Sequence, residues 1–163
     1  MLFSKKSTMA LLITMLFIPV MLFAVNNVSI NAKSNVSTYS HYKLNDKKLG
    51  IMMTLKYLYP LKWVKAYTKM GALSYADSKN NIMMKGYSYV TGNGDPTSFI
   101  YYKHNGNTAY YKYWYVGSKQ DVAHGHYIKQ RHVSIKYLVN KYYHSKSQKN
   151  FVNYYASKLK NEQ

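Results

Sequence analysis

The chain has 163 residues, with 23 Lys or Arg against 5 Asp or Glu, a formal net charge of +18 and no cysteine. Lack of cysteine excludes a disulfide framework, a thiol nucleophile and a lipoprotein anchor, since each needs that residue. Twenty tyrosines and an aromatic content of 17% speak against the disorder that so high a net charge otherwise suggests.

Lys5 and Lys6 precede an apolar run from Met9 to Val25, and a polar stretch opens at Asn26. That order is the plan of a secretory signal peptide, with lysines holding the N-terminus in the cytoplasm while the apolar run enters the translocon. The run of 17 residues, interrupted by Pro19, reaches roughly 26 Å as a helix, short of a hydrocarbon core of about 30 Å. The expectation is therefore a signal peptide over residues 1–32, cleaved after Ile30-Asn31-Ala32, with Ile30 larger than the small residue preferred there. No stable membrane span then remains. Loss of Lys5 and Lys6, with no acid, takes the charge from +18 to +16. Residues 33–163 make one ordinary domain, long enough to bury about 70% of its unfolded surface. A cysteine-free exported protein fits a Gram-positive cell.

Residues 33–45, rich in Ser and Asn, read as a flexible polar arm. Asn45 or Asp46 caps a helix whose apolar positions Ile51, Leu55, Leu58 and Tyr59 follow helical spacing, and Pro60 ends it. Residues 61–70 are ambiguous, with Gly71 as a stop. From Ala72 to Val116 short aromatic runs alternate with turn residues, as in an antiparallel sheet. Its expected strands include Ile82 to Val90, Ser98 to His104 and Thr108 to Val116, the last two joined at Asn105-Gly106, a pair suited to a type I′ hairpin. After a loop from Gly117 to Gly125, Tyr127 to Val133 is a further candidate strand. Ser134 is placed to cap a helix carrying Ile135, Leu138, Val139 and Tyr142. Ser145-x-x-Gln148 is a capping box for a second helix, with Phe151, Tyr155 and Leu159 in line. The fold class is α+β over residues 46–163: a small antiparallel sheet of about four strands, one helix before it and a helical pair after it.

The leader, Lys56-Tyr57-Leu58-Tyr59-Pro60, the Asn105-Gly106 hairpin and the tail Ser134 to Leu159, with Tyr142-Tyr143 and Ser147-Gln148-Lys149, resemble the small secreted lactobacillus proteins that carry an uncharacterised Lreu-type domain. The resemblance implies a secreted location and a fold. It implies no catalytic residue, because that family has no assigned activity.

Two constellations can carry chemistry. In the hairpin, Tyr101-Tyr102-Lys103-His104 faces Tyr110-Tyr111-Lys112-Tyr113-Trp114-Tyr115. Alternate residues share a face, so Tyr111, Tyr113 and Tyr115 form one row and Tyr110, Lys112 and Trp114 the other. One row faces the core. The other is either ordinary half-buried strand tyrosine or a platform for sugars or bases, with Tyr101, Tyr110 and Trp114 stacking and Lys103 and Lys112 meeting an anionic backbone. The second constellation is Asp121-x-x-His124-Gly125-His126, with His132 six residues on, a geometrically conceivable zinc site that lacks the signature of a known one.

Acid–base catalysis has little material, since Asp46 reads as a cap, Asp95 as a turn residue before Pro96 and Glu162 as a frayed tail, leaving Asp77 and Asp121. No nucleophile elbow surrounds a serine, and no cofactor is indicated. The expectation is an exported, non-enzymatic basic domain. It is held at or near the cell surface by anionic cell-wall polymers or polysaccharides, and meets nucleic acid only outside the cell. A metal-assisted secreted hydrolase and a protein-binding or inhibitory module are the alternatives.

Overall fold

A computed structural model describes residues 37–162, so the expected leader over residues 1–32 lies outside the described residues. From residue 37 the stretch read as a flexible arm is folded. Helix α1 (Thr38–His41) is capped by the Ser37 hydroxyl, which accepts from the Ser40 N–H at 3.2 Å. Tyr39 stacks on His104 with ring centroids 4.0 Å apart, and Leu44 is buried. Three anchors, Tyr39, Tyr42 and Leu44, pack on the core from a stretch that is otherwise polar.

Asn45 caps α2 (Asp46–Tyr57), accepting from the Lys48 N–H at 2.9 Å. The expected stripe of apolar positions is too narrow a description of this helix. Residues 49–54 are all buried, because α2 runs between the sheet and the C-terminal helices. A helix segment covered on every side is buried all round and shows no periodic stripe, and the lysines of α2 stand at its two ends. Gly50 permits the approach: a Cβ there would stand 2.5 Å from the Tyr102 Oη and 2.6 Å from the Val90 Cγ2. Pro60 opens α3 (Leu61–Lys69), the ambiguous stretch, and Gly71 follows it at φ +69. Only Val64 of this helix is buried.

The sheet has seven strands, β1 (Leu73–Ala76), β2 (Ser88–Gly92), β3 (Phe99–Asn105), β4 (Thr108–Tyr115), β5 (His126–Tyr127), β6 (Arg131–Ser134) and β7 (Lys160–Asn161). The order is β5-β4-β3-β2-β1-β7, with β6 paired along the first half of β4 and β5 along its end. All pairings are antiparallel except β1 with β7, so the sheet is mixed and larger than the four strands expected. The unforeseen strands are two to four residues long, too short for alternation to show in sequence. Ile82 to Val90 is not one strand: β2 begins at Ser88, and residues 77–87 form turns. There Asp77 accepts from two N–H groups and buried Asn81 from two more, while Ile82 is 98% exposed. Tyr127 to Val133 is divided into β5 and β6.

The β3–β4 hairpin is present, with its turn one residue later than Asn105-Gly106. Asn105 pairs with Thr108, so Gly106 and Asn107 are the central residues, and only Gly106 has positive φ, at +53. That is the φ pattern of a type II′ turn. Asn107 ties this tip to the helices, its side chain accepting from the Thr38 N–H at 2.5 Å and its carbonyl from the Ile135 N–H at 2.9 Å.

The helical pair is α4 (Ile135–Tyr142) and α5 (Lys146–Lys158). Ser134 occupies the cap position of α4 without a side-chain cap bond, and the Asn107 carbonyl satisfies the first helical N–H, that of Ile135. Ser145 and Gln148 complete the expected capping box of α5. Ser145→Ala is expected to cost about 1 kcal/mol, read as a lower urea midpoint at unchanged slope. Tyr75, Val90, Ile100, Tyr102, Ala109 and Tyr111 form one sheet face and pack against the helices. The opposite face carries a smaller cluster of Ala76, Tyr87, Tyr89, Phe99 and Tyr101, partly covered by Met84 from the turn region.

Candidate polyanion-binding face

Register decides which hairpin row is available. Tyr111 packs into the helical core, with Tyr113 against it, so Tyr110, Lys112 and Trp114 lie on the face turned away from the helices. Across β3, Tyr101 pairs with Lys112 and Lys103 with Tyr110, which brings all five hairpin candidates to one face. Lys103 is exposed, and Tyr110, Lys112 and Trp114 are half-buried.

Tyr101 is not a platform residue. It is 1% exposed, with its hydroxyl 3.5 Å from the Met83 Sδ and 3.4 Å from the Tyr127 Oη, and burial holds its pKa well above the ordinary range. It is the floor of the face. Tyr87 supplies what sequence reading missed: Lys103 Nζ stands 4.6 Å and Lys112 Nζ 5.8 Å from its ring centroid, and its hydroxyl donates to Gln130. One aromatic ring thus gathers two ammonium groups from adjacent strands. Tyr127 was also missed; it meets Trp114 edge-on at 4.9 Å. Lys103, His104, Asn105, Tyr110 and Gln130 line a shallow cavity of about 450 Å³ beside them.

The metal candidates do not converge. Asp121 and His124 meet, Oδ1 to Nδ1 at 2.5 Å, with Asp121 also capping the short turn Val122–His124. His126 pairs with Tyr115 on the helical side of the sheet, whereas His132 sits opposite Tyr110 on the other side. Among the described residues, no three His, Asp or Glu side chains are grouped so as to hold a metal ion.

The acids are otherwise engaged. Asp46, read as a cap, accepts from the Ser88 and Tyr39 hydroxyls at 2.8 and 3.4 Å. Asp77 accepts the N–H groups of Lys79 and Asn80, which hold its pKa below the usual carboxylate range. Asp95 caps Pro96–Ser98. Glu162 is no frayed tail: it accepts from the Tyr89 hydroxyl, and its N–H donates to the Tyr75 carbonyl at 2.8 Å. Consequently, among the described residues, His124 with Asp121 is the one contact between a basic and an acidic side chain within salt-bridge distance, and no lysine or arginine is paired with a carboxylate. The helices α2 to α5 carry eleven lysines and one acid, Asp46.

These features define a class: a small basic α+β domain with its helices on one side of a mixed sheet. The model of the Lreu_0056_like family of hypothetical proteins matches residues 45–160, and the chain belongs to that family. The resemblance read from the sequence is correct. The NMR structure of the hypothetical protein from Lactobacillus reuteri is similar, with a TM-score of 0.57 at 24% identity over 75% of this chain and 99% of that one. No curated protein matches.

Proposed function

We propose that this is an exported, non-enzymatic domain that stays at the cell envelope by binding anionic polymers, with Lys103 and Lys112, held over the buried Tyr87 ring, meeting the polymer's charges and Tyr110 and Trp114 its rings. The observation that carries this reading is the absence of any lysine–carboxylate pair among the described residues. Cations with no internal carboxylate partner keep their net charge for an external polyanion, and binding releases that polymer's condensed counterions. The leader-like N-terminus supports export.

Binding of the domain to purified Gram-positive cell walls is expected to fall steeply with salt, by about tenfold or more between 50 and 200 mM for a handful of phosphate contacts. Lys103→Ala with Lys112→Ala is expected to flatten the log–log salt slope by about two. Equal affinity for intact walls and walls stripped of teichoic acid would overturn the polymer assignment.

A further inference from the structure

On the helical side, Leu55, Leu61, Tyr142 and Phe151, with Ser147 and Gln148, line a groove of about 310 Å³ whose surface is mostly apolar. It lies among helices whose surface charge is almost wholly positive. One lining residue, Tyr142, has the Lys141 Nζ over its ring at 5.7 Å from the centroid, and Lys141 shares the Tyr137 hydroxyl with Lys56. Those two ammonium groups are gathered on one atom: each Nζ lies 3.4 Å from the Tyr137 Oη, and both stand over its ring. Like charges drawn together with no carboxylate beside them form a receptacle for an anion, and the lowered pKa of Tyr137 has the same origin in Lys56 and Lys141. Leu61 is 47% exposed at the groove, an apolar surface that an aliphatic chain would cover.

We infer that this groove binds a single-chain anionic amphiphile, its aliphatic chain against Leu55, Leu61 and Phe151 and its phosphate on Lys56 and Lys141. Charge complementarity selects that occupant over a neutral lipid or a cationic peptide. A volume of this size is at the lower end for small-ligand sites, so it accommodates one chain rather than two. The site is on the opposite side of the sheet from Lys103 and Lys112 and does not depend on them.

The test uses lysophosphatidylglycerol below its micellar concentration, lysophosphatidylcholine of the same chain length, and glycerol phosphate without a chain, each followed by calorimetry and by amide chemical shifts. Lysophosphatidylglycerol is expected to bind at least tenfold more tightly than the other two and to shift amides of α2, α4 and α5. Ser147→Phe, which fills the groove from an exposed position, is expected to weaken it at least tenfold. Lys56→Ala with Lys141→Ala is expected to erase the preference over lysophosphatidylcholine. Equal binding of both lipids, undiminished binding to Ser147→Phe, or no binding overturns the inference. Lys103→Ala with Lys112→Ala is expected to leave lipid binding unchanged while weakening wall binding, so the two proposals fail separately.

Discussion

Gly50→Ala is expected to destabilise the domain by about 2–3 kcal/mol, in spite of alanine being the better helix former by about 1 kcal/mol. The added methyl would lie 2.5 Å from the Tyr102 Oη and 2.6 Å from the Val90 Cγ2, well inside contact distance. Neither neighbour can retreat cheaply. Tyr102 is fully buried and its hydroxyl donates to the Asp46 carbonyl at 2.8 Å; Val90 lies in a central strand. The remaining way out is movement of α2 away from β2 and β3, which opens voids along six buried residues. For a domain of this size the loss corresponds to a fall in Tm of roughly 6–15 °C. Adding Val90→Ala to Gly50→Ala is expected to cost less than the sum of the two single changes, because they share one space. A Gly50→Ala variant as stable as the parent would mean that α2 does not press on the sheet.

Alkaline unfolding is the second large effect. Eight tyrosines, at positions 39, 57, 59, 75, 89, 101, 102 and 155, have hydroxyl pKa values raised chiefly by burial. Tyr75 is pushed up to about 12, and Tyr102, beside Asp46, well above its ordinary 10.0. A value raised in the folded state means that the unfolded chain gives up the proton first. The stabilisation is therefore complete below about pH 10 and declines as pH rises, by about 1.4 kcal/mol per unit for each tyrosine that stays protonated in the fold. Tyr75 alone removes about 2 kcal/mol by pH 12, and the other raised phenols, Tyr102 among them, add to that loss, against a total stability of about 5–15 kcal/mol for most domains. The expected result is cooperative unfolding between pH 10 and 12, with tyrosinate absorbance and the loss of far-ultraviolet circular dichroism in one step. Lysine deprotonation relieves self-repulsion over the same range, and added salt at pH 7 measures that opposing contribution by itself. Smooth titration of the phenols with the helices intact to pH 12 would contradict the account.

The elements that sequence reading placed well carry local signals: the Asn45 cap, Pro60, the capping box at Ser145 and Gln148, and the alternating hairpin strands. What it missed depends on distant partners. β7 exists because residues 160 and 161 lie beside β1, and nothing in a two-residue strand announces its neighbour. The middle of α2, residues 49–54, is buried all round because of what surrounds it. In the candidate site, Lys103, Tyr110, Lys112 and Trp114 fell on one face as alternation required. Tyr101 was misplaced because alternation gives the face and not what covers it, and the covering residues come from the turns at residues 77–87. Tyr87 went unnoticed for the same reason. The histidines near Asp121 looked like a cluster in one dimension and are separated by the strand register.

Because all the long helices lie against one side of the sheet, the two proposed sites look in opposite directions. One copy can then touch two anionic partners at once, a lipid behind and a polymer in front. If both proposals hold, the protein would do more than coat a surface: it would tack two layers together at a spacing set by its own thickness.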